Sequence, residues 1–281
     1  MGKNGKQQRQ EQMRELQERL RREEAAKKKK EQQVFLWAMI GVFALAVIVA
    51  AVVIAGAIGN RKPAVPTTPT TEAATLMYPN APKMEELDFS SVSDFSRFEI
   101  TEEETDYVLI NVSYKDNNGL QRTGDIVVRL FDEVAPITVD NFKGLVKQHF
   151  YDGLVFHRII EDFMVQGGGF DVDGKEKETA KAIVGEFATN GYNNHLLHVR
   201  GVISMARTNV MNSASSQFYI VQKDSHHLDT KYAGFGFTVY GMDTVDAIAV
   251  QPTNLDDEPL QPVVINFARF VKLNPAEEAT T

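Results

Sequence analysis

Hydrophobic and polar positions divide the chain into stretches of different character. Residues 34–59 contain no charged or polar side chain. About 20 apolar residues span a bilayer's hydrocarbon core, so this stretch predicts one tilted transmembrane helix. Trp37, near its amino end, is placed as an interfacial anchor. A buried core helix would rarely be apolar on every face, and a cleaved signal has a shorter apolar region, so the expectation is an uncleaved anchor. Residues 1–33 are polar throughout. Met13, Leu16 and Leu20 have helical spacing there but are too few for a coiled-coil seam. Residues 60–97 form a linker, with Pro63, Pro66 and Pro69 among threonines and alanines. The course of 84–98, which mixes acidic and aromatic residues, is left open.

From Tyr107 the pattern changes to short alternating or β-branched runs. Residues 108–112 and 125–130 predict a hairpin, with turn chemistry at 116–119. Pro136 suits the first turn of a helix that ends before Gly153, and Val139, Phe142, Leu145 and Val146 share one face. Further strands are expected at 201–206, 217–221, 235–240 and 263–272, and a second helix at 243–249. Many strands, two helices and frequent turns point to a barrel or sandwich. The folded domain is set at 98–275, with 276–281 as a tail. No internal repeat is visible.

The stretch from Phe156 to Phe170 is the densest in chemistry. Alternation puts Phe156, Arg158 and Ile160 on one face and His157 and Ile159 on the other. After a break at Glu161 and Asp162 come Phe163, Met164 and Gln166, and then Gly167, Gly168 and Gly169, read as a turn. One face thus presents a fixed cation, two apolar groups and a neutral amide. Such a site suits a neutral ligand with one carbonyl to hold and one apolar ring to bury.

Charge and composition narrow the partners. Net charge is −8, but residues 1–33 hold 11 Lys/Arg against 6 acidic residues, and the remainder 19 against 32. The eleven basic residues before the apolar stretch, against only Arg61 and Lys62 just after it, put the amino terminus in the cytoplasm and the body outside. An acidic body argues against nucleic acid. The absence of cysteine excludes disulfides and thiolate sites. Adjacent His226 and His227, and His195 with His198, lack metal-ligand spacing and are read as structural or pocket residues. Ser213, Ser215 and Ser216 lack a nucleophile elbow.

The run Phe156-His157-Arg158-Ile159-Ile160, with Phe163-Met164 and Gln166-Gly167-Gly168, resembles the cyclophilin signature. Further blocks at 201–207 and 212–220, then His227-Leu228-Asp229, 234–236 and 241–245, follow in family order. The resemblance covers roughly residues 105–273 and implies a mainly β fold: a closed eight-stranded antiparallel barrel capped by two helices, here preceded by a single transmembrane helix. It implies peptidyl-prolyl cis-trans isomerase activity without a cofactor. Arg158 and Gln166 match the catalytic arginine and the substrate-binding glutamine. Phe163, Met164, Ala206 and Leu228 match substrate-contacting positions. Tyr219, His227 and Tyr232 stand where the best-known eukaryotic pattern has phenylalanine, tryptophan and histidine. The tryptophan matters for cyclosporin, so binding of that drug is in question. The sequences around Ala206 and at 212–218 look like the bacterial branch.

The expectation is therefore a single-pass isomerase of the cell membrane, its catalytic domain extracytoplasmic. It would act on proline-containing segments of exported polypeptides and would need no metal. The alternative is a tethered proline-peptide binder or chaperone module with little turnover.

Overall fold

In the computed structural model, the described residues are 77–275 apart from 79, 117 and 178–180. The expected tail at 1–33, the apolar stretch at 34–59 and most of the linker lie outside them. Among the described residues no helix is long and apolar enough to cross a membrane.

The β-branched runs at the start of the domain form the expected hairpin. Strand β2 (Tyr107–Lys115) pairs antiparallel with β3 (Gln121–Leu130) along its whole length. Asp116 Oδ1 holds the turn by accepting from the amides of Asn118 and Leu120, at 2.9 and 3.0 Å. Gly119 takes the left-handed φ of 76° there, a conformation costly for residues with a Cβ.

The remaining strands are β1 (Phe98–Ile100), β4 (Leu154–Ile160), β5 (Met164–Asp171), β6 (Val202–Met205), β7 (Phe218–Val221), β8 (Gly234–Tyr240) and β9 (Val264–Leu273). Their order is β9-β2-β3-β8-β6-β7-β5-β4, and β4 returns to β9 through the Val155–Val264 pair. Eight antiparallel strands thus close on themselves, which leaves that sheet no open edge. Short β1 pairs with the far end of β9.

Helices α1 (Pro136–Lys147) and α2 (Met242–Ala249) pack into the barrel core. Phe142 of α1 lies against the rings of Tyr151, Phe218 and Phe235, with centroids 5.2, 5.6 and 5.2 Å away. Val245 and Ile248 of α2 are fully buried in the same core.

Alternation along β2 divides its residues between two apolar clusters. Val108, Ile110 and Val112 enter the main core, while Leu109 joins Val127, Val239 and Val271 in a second cluster. Residues 87–98 cover that second cluster. Val92 and Phe98 are buried in it, and the Val92 amide donates to Val239 O at 2.8 Å. Phe89 meets the ring of Phe237 edge-on at 4.9 Å, and Arg129 pairs with Asp88 at 2.8 Å. The course left open by the sequence is therefore a wrap over the barrel. It buries Leu109 on the outward face of β2, which otherwise carries Asn111, Ser113 and Lys115, and each fully buried large apolar side chain stabilises by about 1.5–3 kcal/mol.

Two expectations about the central stretch are corrected. Gly167, Gly168 and Gly169 do not form a turn, because all three lie within β5. Gly168 and Gly169 are extra residues between the pairs Phe156–Gly167 and Val155–Phe170, a bulge in which Gly168 has φ 81°. A Cβ at Gly169 would come within 2.5 Å of the Gln217 side chain. Crowding therefore accounts for glycine here as much as flexibility does. The alternation of β4 is also broken. His157 is extra between the pairs Phe156–Gly167 and Arg158–Gln166. Phe156 consequently joins Ile159 in the core instead of sharing a face with Arg158.

The start of α1 depends on a distant residue. Ala135 provides no side-chain cap, and the fully buried Glu186 acts instead. Its carboxylate accepts from the Ile137 amide at 3.1 Å and from the Thr138 amide and hydroxyl, both at 2.6 Å. The Tyr78 hydroxyl also donates to it at 3.0 Å. Burial and the adjacent carboxylate push that phenol up to about 12. Glu186→Ala is expected to cost about 3 kcal/mol, because buried donors lose a charged acceptor. The corresponding fall in Tm is about 6–12 °C by calorimetry. An unchanged Tm would refute this capping role.

Candidate functional site

The strand register carries the site across the sheet. Arg158 on β4 faces Gln166 on β5, Gln166 faces Tyr219 on β7, and Tyr219 faces Ser204 on β6. The turn at 161–163 lets Met164 return opposite Ile160 and leaves Phe163 at the hairpin tip. Ala206 and Arg207 follow β6, while Leu228 and Tyr232 come from the segment before β8.

These residues line one cavity of about 170 Å³: Arg158, Phe163, Met164, Gln166, Ala206, Arg207, Tyr219, Leu228 and Tyr232. A cavity of about 150 Å³ holds a benzene molecule, so this one takes a single small ring. Its apolar floor is firmly packed, with Met164 2%, Tyr219 5% and Leu228 9% exposed. Polar groups stand at the side. Gln166 Nε2 donates to Gln217 Oε1 at 3.0 Å, and Arg158 is half-exposed. Its Nε and Nη2 donate to Asp257 Oδ2 at 3.2 and 3.1 Å.

Eight of the nine residues expected from the sequence thus line the same cavity. His227 is not among the lining residues; its ring packs on Phe163, with centroids 5.2 Å apart. Two neighbours were not anticipated. Arg207 lies inside the 201–207 block and could have been considered. Its guanidinium carbon sits 4.5 Å from the Tyr232 ring centroid and 5.0 Å from that of Phe187. Asp257 gave no signal, because it meets Arg158 only through folding.

A family model described as cyclophilin type peptidyl-prolyl cis-trans isomerase matches residues 114–269, more than half of the chain. The chain belongs to the cyclophilin-type peptidyl-prolyl cis-trans isomerases. A peptidyl-prolyl cis-trans isomerase of Acinetobacter baylyi is 43% identical over 163 residues, covering 55% of this chain and 84% of that protein. Peptidyl-prolyl cis-trans isomerase A of Dickeya dadantii is 42% identical over 158 residues, covering 53% and 80%. Peptidyl-prolyl cis-trans isomerase B of Escherichia coli is 39% identical over 154 residues, covering 50% and 91%.

In this cyclophilin a buried polar chain backs the cavity. His198 is fully buried, with Nε2 3.0 Å from Ser204 Oγ and Nδ1 3.1 Å from Asp229 Oδ1. Asp229 also accepts from the His198 amide at 2.7 Å and lies 2.9 Å from His226 Nδ1. The His198 ring stacks on Tyr219, 6.1 Å between centroids. Two of the four histidines considered for a metal thus converge on one carboxylate that ties the Leu228 segment to the barrel. Among the described residues no group of three or more His, Asp or Glu side chains could hold a metal ion.

Burial holds the His198 imidazole below its ordinary value of 6.5, and the hydrogen bond and charge of Asp229 only partly oppose this. Burial also lowers His157. In the unfolded chain these rings take up protons near 6.5, whereas in the folded protein they do so only at lower pH. Unfolding therefore binds protons in that window, and stability falls as pH falls below about 6.5. Thermal midpoints measured from about pH 7.5 to 5 should decline accordingly. His198→Gln should lower stability overall and flatten part of the slope, leaving the share due to His157. An unchanged slope would rule out His198 as a source.

Proposed function

We propose that this isomerase is anchored by residues 34–59 with its cyclophilin domain at the outer face of the cell membrane, where it assists the folding of exported polypeptides. Rotation about an X–Pro bond breaks no covalent bond, yet its barrier is about 20 kcal/mol. Twisting removes amide resonance and gives the prolyl nitrogen a usable lone pair. A donor directed at that nitrogen favours the twisted state over both planar ones, which is the condition for acceleration.

One observation carries this assignment of roles: Arg158 and Gln166 are direct cross-strand partners beside an apolar cavity the size of one ring. Phe163, Met164, Tyr219, Leu228 and Tyr232 bury the prolyl ring, so the flanking peptide turns about it. Gln166 and the Ala206 backbone hold that peptide without adding charge. Arg158 supplies the donor through the rigid fork of its guanidinium N–H groups. The mechanism calls for no cofactor, which suits an extracytoplasmic compartment. Placement at the membrane rests on the uncharged stretch at 34–59 and the basic residues before it.

Isomerisation of a short X–Pro peptide by the full-length protein in detergent micelles tests the chemistry. Arg158→Ala should lower kcat/KM by about 10²–10³-fold, the usual cost of losing one transition-state donor. A folded wild-type protein that leaves the peptide at its uncatalysed rate would favour a proline-segment binder. Equal rates in wild type and Arg158→Ala would remove Arg158 from the mechanism.

Protease added to intact cells tests the placement. The 98–275 domain should be cleaved from outside while residues 1–33 stay protected. The reverse pattern would invert the topology.

A further inference from the structure

The Arg158 guanidinium is held from outside its own hairpin. Its Nε and Nη2 both bond to one carboxylate oxygen of Asp257, in the segment between α2 and β9. Taking the isomerase reading as its basis, we propose that Asp257 is a positioning residue, which fixes the Arg158 side chain so that Nη1 remains available to the bound peptide.

Asp257 is itself tightly placed. It adopts φ 63°, a left-handed conformation uncommon for non-glycine residues but tolerated by Asp and Asn. The surrounding turn closes through the Thr253–Pro259 bridge. Asn254 Oδ1 accepts from the amides of Asp256 and Glu258 at 2.9 and 3.0 Å, and the Asp257 amide donates to Asn254 O at 3.2 Å. The turn is then attached to β4, because the Ile159 amide donates to Asp257 O at 2.9 Å. Backbone and carboxylate of one residue therefore grip two consecutive residues of β4, one by its amide and the other by its side chain.

Stability gives a poor account of this pair. Both side chains are 40% exposed, and exposed ion pairs contribute little because water screens them. The greater consequence is for freedom of movement. An arginine side chain has many rotamers, and a donor acting on a transient geometry must already be near its working position. Two bonds to one oxygen orient the planar guanidinium and leave its third nitrogen unused by the carboxylate.

The test uses the full-length protein in detergent micelles and a short X–Pro peptide. Asp257→Gly removes the carboxylate while glycine accepts the backbone conformation, so Tm should hold. We expect kcat/KM to fall about tenfold, chiefly in kcat. Asp257→Asn keeps a side-chain oxygen and tolerates the same φ, and should restore most of the loss. In an Arg158→Ala background Asp257→Gly should change nothing further. Wild-type kinetics in Asp257→Gly, or an equal fractional loss in both backgrounds, would overturn the proposal.

A second readout applies if Arg158→Ala leaves no measurable rate. The ¹⁵Nε–¹Hε NMR signal of Arg158 should shift and exchange faster in Asp257→Gly, and an unchanged signal would overturn the proposal as well. A wild type without isomerase activity would instead sink the functional reading, while the NMR signal would still report whether Asp257 restrains Arg158.

Discussion

Pairing between β4 and β5 is the constraint on which the site depends. An unbroken ladder would have put Phe156 and Arg158 on one face and left no place for both a core aromatic and a cavity cation. The extra residue His157 on β4, and Gly168 with Gly169 on β5, change the register at this point. Phe156 turns into the barrel against Phe218 and Arg158 turns to the cavity opposite Gln166. The bulges thereby re-aim side chains. They are possible only because the glycines let neighbouring side chains approach closer than any Cβ would allow.

The rest of the cavity is built on that register. Tyr219 and Met164 form a floor that is rigid because it is also the outer layer of the core. Behind Tyr219, the His198–Asp229 bonds tie the segment bearing Leu228 and Tyr232 to β6. A buried histidine here costs stability in acid but gives a fixed polar link where an apolar contact would be less directional. The rim is looser and charged, with Arg158 and Arg207 held by Asp257 and by backbone carbonyls of Thr208 and Lys231. A packed floor with a polar rim fits a neutral ring inserted from a chain that must still turn.

Closure of the barrel and the wrap by residues 87–98 solve a related problem. Strands β2 and β3 carry Leu109 and Val127 on their outward face, where an isolated barrel would leave both facing water. The wrap buries them with Val92 and Phe98 and brings Asp88 to Arg129. These contacts fix the segment immediately ahead of the barrel in the chain.

Local pattern alone determined a good deal about this protein. Period-two runs specified the β2–β3 hairpin, and 3.6-residue spacing with Pro136 specified α1, because these signals act within a few residues of each other. The motif around Arg158 and Gln166 drew together residue types whose chemistry could be argued before any fold was known. Only tertiary structure decided what rests on long-range contact: the bulges that part Phe156 from Arg158, the cap that Glu186 places on α1, and the wrap over Leu109. The Asp257 carboxylate that meets Arg158 belongs with them. Each joins residues far apart in the chain, by strand register or by the packing of a loop. Such contacts depend on the whole barrel closing, and they leave no periodicity for a local reading to find.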